Sequence, residues 1–262
     1  MNKRMTWTRA LFALTILAAS LAFAQKQPKP NSQKELDALR AWQSATDIDT
    51  RLKAIENVLT NFADTDFKEF LLEDAMQLEE RKGDYAQTVF YAERLLDAEP
   101  NNAFALVTLA GETARHTREF DLDKEEKLAK VDKYAKAALD AAKQAPKPRP
   151  DIPDDQWENA RKDLQAQAYE AMGMAAGLRK KYDEAIADYK QSLDISSTKD
   201  PATYVRMGQV YEDAGKYDEA TASLDQAINF PNVNPQVKTI AQSKKDEVAK
   251  KKAAGQKPPG TP

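Results

Sequence analysis

Lys181-Tyr182-Asp183-Glu184-Ala185 is repeated without change as Lys216-Tyr217-Asp218-Glu219-Ala220, 35 residues further along the chain. The surroundings repeat with it, since Tyr169-x-x-Met172-Gly173 returns at the same spacing as Tyr204-x-x-Met207-Gly208. A fixed period of this length marks a stacked array of small supersecondary units. The units are helical. Glycine occurs only 8 times in 262 residues, Ala, Leu, Lys, Glu and Gln are abundant, and no stretch alternates in the manner of a strand.

Working outward, Ser32-x-x-Glu35 is a capping box that opens a helix with Leu36, Leu39 and Trp42 on one face. Asp47 caps a second helix, where Leu52, Ile55, Val58, Leu59 and Phe62 follow the spacing of a single buried stripe. A third runs from Phe67 to Glu80 with Phe70, Leu71, Asp74-Ala75 and Leu78 in register. Gly83-Asp84-Tyr85 turns into a fourth through Val89, Phe90, Leu95 and Leu96. The next helix spans 103–115, and the charge-rich segment 120–133 lengthens the turn or second helix of its unit. A Pro-rich connector occupies 146–155, after which Asp154 or Asp155 caps a long helix ending at Leu178. Asp200-Pro201 and Asn234-Pro235 each set a capping side chain before a proline at the first helical position. The helix over 235–253 is polar, as suits the end of an array whose last apolar face must be shielded from water.

These units resemble tetratricopeptide repeats. The family pattern W-x2-L-G-x2-Y, A-x3-F, P is matched by Tyr169-x2-Met172-Gly173-x2-Ala176, Tyr182 and Ala185-x3-Tyr189. The second copy gives Tyr204-x2-Met207-Gly208-x2-Tyr211, Tyr217, Ala220-x3-Leu224 and Ala227. Gly173, Gly208, Ala185 and Ala220 are small so that two helices can approach closely. Weaker copies, with Met76 and Thr88 in place of the small residues, fill 33–145, and two well-formed units fill 156–234. The resemblance implies an all-α fold: antiparallel helix hairpins stacked into a right-handed solenoid of four to five units, with a C-terminal capping helix.

It also implies a groove lined by the first helix of each unit. By position, Glu73, Gln77 and Glu80 line it in one unit, Gln167, Glu170 and Met174 in the next clean one, and Val205, Gln209, Glu212 and Asp213 in the last. The Lys and Asn residues of the carboxylate-gripping members are absent from these positions. The groove is neutral to acidic, which favours a neutral or basic partner segment.

Residues 1–24 read as a signal peptide: Lys3, Arg4 and Arg9 precede the apolar run 10–21 and the small-x-small site Ala22-Phe23-Ala24. Their removal takes away three positive charges and moves the formal charge from −3 to −6, which disfavours nucleic acid as the partner. Residues 25–32 form a polar linker and 254–262 a disordered tail. With no cysteine in the chain, no disulfide framework or lipid-attachment thiol exists, and the expected compartment is the periplasm, with the extracellular space as the alternative. No motif calls for a cofactor, a metal or catalysis: His116 is the only histidine, and Asp183-Glu184 and Asp218-Glu219 are explained as first-turn acids favoured by the helix dipole. The expected function is a non-catalytic envelope adaptor that binds a protein or peptide. A self-associating structural protein and a cell-wall or carbohydrate-binding accessory are the alternatives.

Overall fold

The computed structural model describes residues 28–147 and 150–255. The signal-peptide reading of 1–24, residues 25–27 of the linker, Pro148 and Arg149 of the connector, and the tail from 256 onward lie outside the described residues. Eleven helices and no strand are found among those described, and they pair in chain order. The first hairpin is α1 (Gln33–Ser44) with α2 (Ile48–Asn61), followed by α3 (Lys68–Lys82) with α4 (Tyr85–Ala98). Then come α5 (Ala103–Arg115) with α6 (Lys124–Gln144), and α7 (Asp154–Leu178) with α8 (Tyr182–Ile195). The last pair is α9 (Pro201–Asp213) with α10 (Tyr217–Ile228), and α11 (Pro235–Gly255) closes the stack against α10 and α9.

The helix starts follow local chemistry. The Ser32 hydroxyl accepts from the Glu35 amide at 3.1 Å, and the Asp47 carboxylate accepts from the Thr50 amide at 2.9 Å. Asp200 and Asn234 accept from the second amides of their helices, Ala202 and Gln236, at 2.9 and 2.8 Å. At α7 the cap differs from expectation. Pro153 takes the N-cap place with no side-chain bond, and Asp154 and Asp155 sit inside the first turn, where they face the helix dipole instead.

Three hairpin turns share one geometry. The amides of Asp84, Lys181 and Lys216 reach back five residues to the carbonyls of Glu79, Ala176 and Tyr211 at 3.0, 2.9 and 2.8 Å, the longer of the two bonds in a left-handed helix cap. That cap needs a positive φ one residue earlier. Gly83 and Gly215 supply it at 73°, while Lys180 adopts 62° with a side chain, a conformation most residues avoid.

The lengthened unit is resolved as a longer second helix: α6 has 21 residues and follows an eight-residue connection from His116 to Asp123. Arg179 ties α6 to α7 through Asp132 and Glu125, both at 3.0 Å, and Lys180 holds Glu119 of the connection at 2.8 Å. Three successive apolar clusters form one continuous core. Leu96 and Tyr134 pack on both the first and second, and Met174 on both the second and third.

Close helix approach sets the hairpin geometry. A Cβ on Gly208 would lie 2.9 Å from Leu224 Cγ, and one on Gly173 would lie 3.1 Å from the Tyr189 ring. Ala185 and Ala220 are fully buried at the same crossings. In the degenerate α3–α4 unit, Met76 and Thr88 occupy these places and are buried as well.

Gly208→Ala is therefore expected to lower stability by roughly 1–2 kcal/mol in urea unfolding. This loss comes despite the better helix propensity of Ala, and Gly173→Ala is expected to cost less because a ring edge yields more readily than a branched carbon. On α8, burial together with Glu184 and Asp132 pushes the Asp188 carboxyl up to about 6. A carboxyl raised in the folded state contributes stability below its unfolded value of 3.8, and that contribution is lost as pH rises through about 6. Asp188→Asn should accordingly raise the unfolding free energy by about 1 kcal/mol, allowing for solvent screening, in denaturant titrations above that pH and leave it unchanged at pH well below 3.8.

Candidate protein-binding groove

The first helices of successive hairpins, α3, α5, α7 and α9, carry the residues assigned to the groove. On α3, Glu73, Gln77 and Glu80 fall on one stripe, and Gln77 Nε2 donates to Glu73 Oε1 at 3.2 Å. Burial, then the charges of Glu99 and Asp74, pushes the Glu73 carboxyl above its ordinary range, and burial with Glu99 does the same to Glu69. Glu80 is exposed at the far end of the stripe, 3.6 Å from the Arg115 guanidinium, and burial of its carboxyl raises it despite that cation.

On α7, Gln167 is exposed and Glu170 is mostly covered, its carboxylate ion-paired with Arg206 of α9. Burial pushes Glu170 up, with Arg206 pulling the other way. Both residues border a cavity of about 340 Å³ between α7, the end of α8 and the start of α9, with Asp163, Leu193, Asp200 and Thr203 among its walls. Asp163 is already engaged there by the Ser197 amide at 2.8 Å and the Ser197 hydroxyl at 2.6 Å.

The remaining positions divide. Met174 and Val205 are half-buried and pack against the core, which leaves only their edges for the expected groove. Gln209 donates to Glu212 at 3.1 Å and Asp213 at 3.0 Å, and Asp213 stays exposed. Glu212 is a correction. It is 3% exposed, and its Oε1 lies 2.7 Å from the ammonium of Lys251 on α11. The closing helix covers this carboxylate, because the last unit has no further hairpin to pack on and α11 takes that place. Sequence position alone treats the last unit like an interior one and misses this.

Phe70 is the second correction. Read as part of the buried stripe of its helix, it is 53% exposed, at the first turn of α3 on the side of Glu73. Arg115 and Arg206, the cations paired with Glu80 and Glu170, also escaped the sequence reading. The signal for Arg206 lay in the sequence: it follows Glu170 by 36 residues, one repeat on.

Other singled-out residues have structural settings. His116 is exposed, stacked on Tyr85 with ring centres 4.1 Å apart, and 3.3 Å from Glu112. Trp42 packs against the first cluster with its indole N–H on Asp74 at 2.7 Å, and Trp157 donates to the Ala145 carbonyl at 3.3 Å, bracing the Pro-rich connector. Asp183 and Asp218 stand in the first turns of α8 and α10 and reach one unit onward to Lys216 and Lys252.

Residues 164–230 match the family model described as tetratricopeptide repeat. A thermophilic tetratricopeptide-repeat protein in Thermus thermophilus is similar in structure, with 17% identity over 80% of this chain and 98% of that chain and a TM-score of 0.54. A tetratricopeptide repeat protein from Parabacteroides merdae is 14% identical, with 87% of this chain and 95% of that chain covered and a TM-score of 0.42. No curated protein sequence matches significantly.

Removing the Lys251 ammonium strands a buried carboxylate, so Lys251→Ala is expected to cost roughly 1–3 kcal/mol of stability. Adding Glu212→Gln to that variant should recover most of the loss in a double-mutant cycle by thermal or urea unfolding, whereas a surface pair would show no coupling.

Proposed function

We propose that this chain, which belongs to the tetratricopeptide-repeat proteins, is a non-catalytic scaffold of the bacterial cell envelope that holds a protein or peptide partner on its inner face. The observation that carries the reading is the state of that face. Glu69, Glu73, Glu80 and Glu170 are all held above the ordinary carboxylate range chiefly by burial, and the two ion-paired cations there, Arg115 and Arg206, leave Glu69 and Glu73 uncompensated. A basic segment would relieve this charge and a neutral one would not add to it, and a surface built on stacked helices orders little on binding.

The envelope placement rests on the sequence of residues 1–24 and on the lack of cysteine. No helix among the described residues is long and apolar enough to cross a membrane.

The test is the introduction of positive charge at three exposed groove positions, Glu80→Lys, Gln167→Lys and Asp213→Lys, in the full chain. A partner is first identified by crosslinking in cells and then purified. Its affinity for the triple variant should fall at least tenfold in titration calorimetry, with helicity unchanged. An affinity equal to that of the parent protein defeats the groove reading.

A further inference from the structure

Two phenylalanines stand 34 residues apart in the first turns of consecutive inner helices, Phe70 on α3 and Phe104 on α5, and both are exposed, at 53% and 42%. Their setting is unusual in each case. α5 is covered all round by neighbouring hairpins: from Ala103 to Ala114 every residue is buried except Phe104. A helix packed on every side thus opens to solvent at one position along that run, and that position carries a large aromatic ring. On α3, Phe70 lies within one turn of Glu69 and Glu73, and Glu99 in the turn before α5 acts on both of these carboxylates. Glu69, Glu73 and Glu99 form no ion pair among the described residues; Glu73 is met by Gln77 and Glu99 by Asn102, both neutral amides.

Exposed aromatic area and uncompensated negative charge are independent features, and the first turns of α3 and α5, with Glu99 just before α5 acting on Glu69 and Glu73 of α3, carry both. We propose that this face, made by Glu69, Phe70, Glu73 and Phe104 with Glu99 at its edge, docks a basic amphipathic segment of a partner protein, whose apolar side chains cover the two rings while its Lys or Arg groups meet the three carboxylates. The inference rests on the scaffold reading above and narrows it, since it places the dominant contact in the degenerate first half of the array and not in the two well-formed units. Burying aromatic rings supplies affinity, and the carboxylates select the sign of the partner and set its orientation. An acidic segment is rejected by the same three groups. A second copy of this chain is disfavoured as the occupant, because it would set like-charged faces against each other if the surface paired with itself.

The experiment uses the full chain and two labelled synthetic peptides of about a dozen residues with the same Leu and Trp anchors, one carrying Lys and Arg between them and the other Glu; about twelve residues span three turns of helix. Binding is followed by fluorescence anisotropy at low and high salt. The basic peptide is expected to bind and to weaken with salt, and the acidic one to show at least tenfold lower affinity. Phe70→Ala with Phe104→Ala should weaken the basic peptide by about tenfold or more, with helicity retained and only a modest fall in the unfolding midpoint, since about half of each residue is already exposed. Glu69→Gln with Glu73→Gln should weaken it too and remove most of the salt dependence. Equal binding of both peptides overturns the proposal, as does indifference to the Phe substitutions. If the basic peptide is instead lost on Gln167→Lys and Asp213→Lys, the groove reading survives and this placement fails. A concentration-dependent dimer in sedimentation that Phe70→Ala and Phe104→Ala abolish would assign the face to self-association and likewise overturn it.

Discussion

The contact between Gly208 and Leu224, with its counterpart between Gly173 and Tyr189, is the constraint from which the rest of the stack follows. Two helices that meet over a glycine bring their backbones close enough for one large side chain to fill the crossing. The hairpin so formed is narrow, with apolar surface left on both flanks. A narrow hairpin has no interior of its own, so those flanks must be covered by the next hairpin. Leu96, Tyr134 and Met174, each shared between successive clusters, are where that covering happens. The same need explains α11. Asn234-Pro235 repeats the start signal of Asp200-Pro201 after 34 residues, and α11 then packs on α10 and α9 as an inner helix would. Where Gly215 turns the chain at the end of its unit, α11 has Ala249 and runs on as helix to Gly255.

Polar contacts between units follow the same period. Lys82 pairs with Asp49, Lys216 with Asp183, and Lys252 with Asp218, each about one repeat apart in the chain. Arg115 with Glu80, Arg206 with Glu170, and the Tyr91 hydroxyl donating to Glu56 at 2.6 Å connect other neighbouring units. Exposed pairs of this kind each contribute little. Their regular placement fixes which face of one hairpin meets the next, whereas apolar burial, being non-directional, supplies most of the cohesion without fixing register.

The fold was legible because its strongest signals are local and repeated. The identical pentapeptides at 181–185 and 216–220, the glycine turn at Gly83 and the Asp-Pro and Asn-Pro starts each report geometry within a few residues. The groove was legible only in part, since exposure depends on neighbours that no single repeat encodes. Glu212 follows the groove spacing yet is sealed by Lys251, a residue on a helix outside the repeat pattern. Phe70 follows the apolar spacing of a buried stripe yet faces water, because helical periodicity assigns a residue to a side of the helix and cannot tell whether a neighbouring helix extends far enough to cover its first turn. Arg206 and Arg115 could have been found by asking which cation lies one repeat from each groove glutamate.

The uneven quality of the repeats has a physical counterpart. In the last two units the signature positions are filled by glycine, alanine, methionine, leucine and aromatic residues, most of them turned to packing, and their first helices α7 and α9 are linked by Glu170 and Arg206. In the α3–α4 unit the crossing is made with Met76 and Thr88, so the match to the pattern is lost while the burial is kept. Departure from the consensus is thus no sign of looser structure. That unit bears an exposed aromatic ring, Phe70, and two carboxylates without ion pairs among the described residues, Glu69 and Glu73, groups that packing does not require at those positions. Asp183 and Asp218 further along the same chain, by contrast, each have a lysine partner from the following unit or the closing helix.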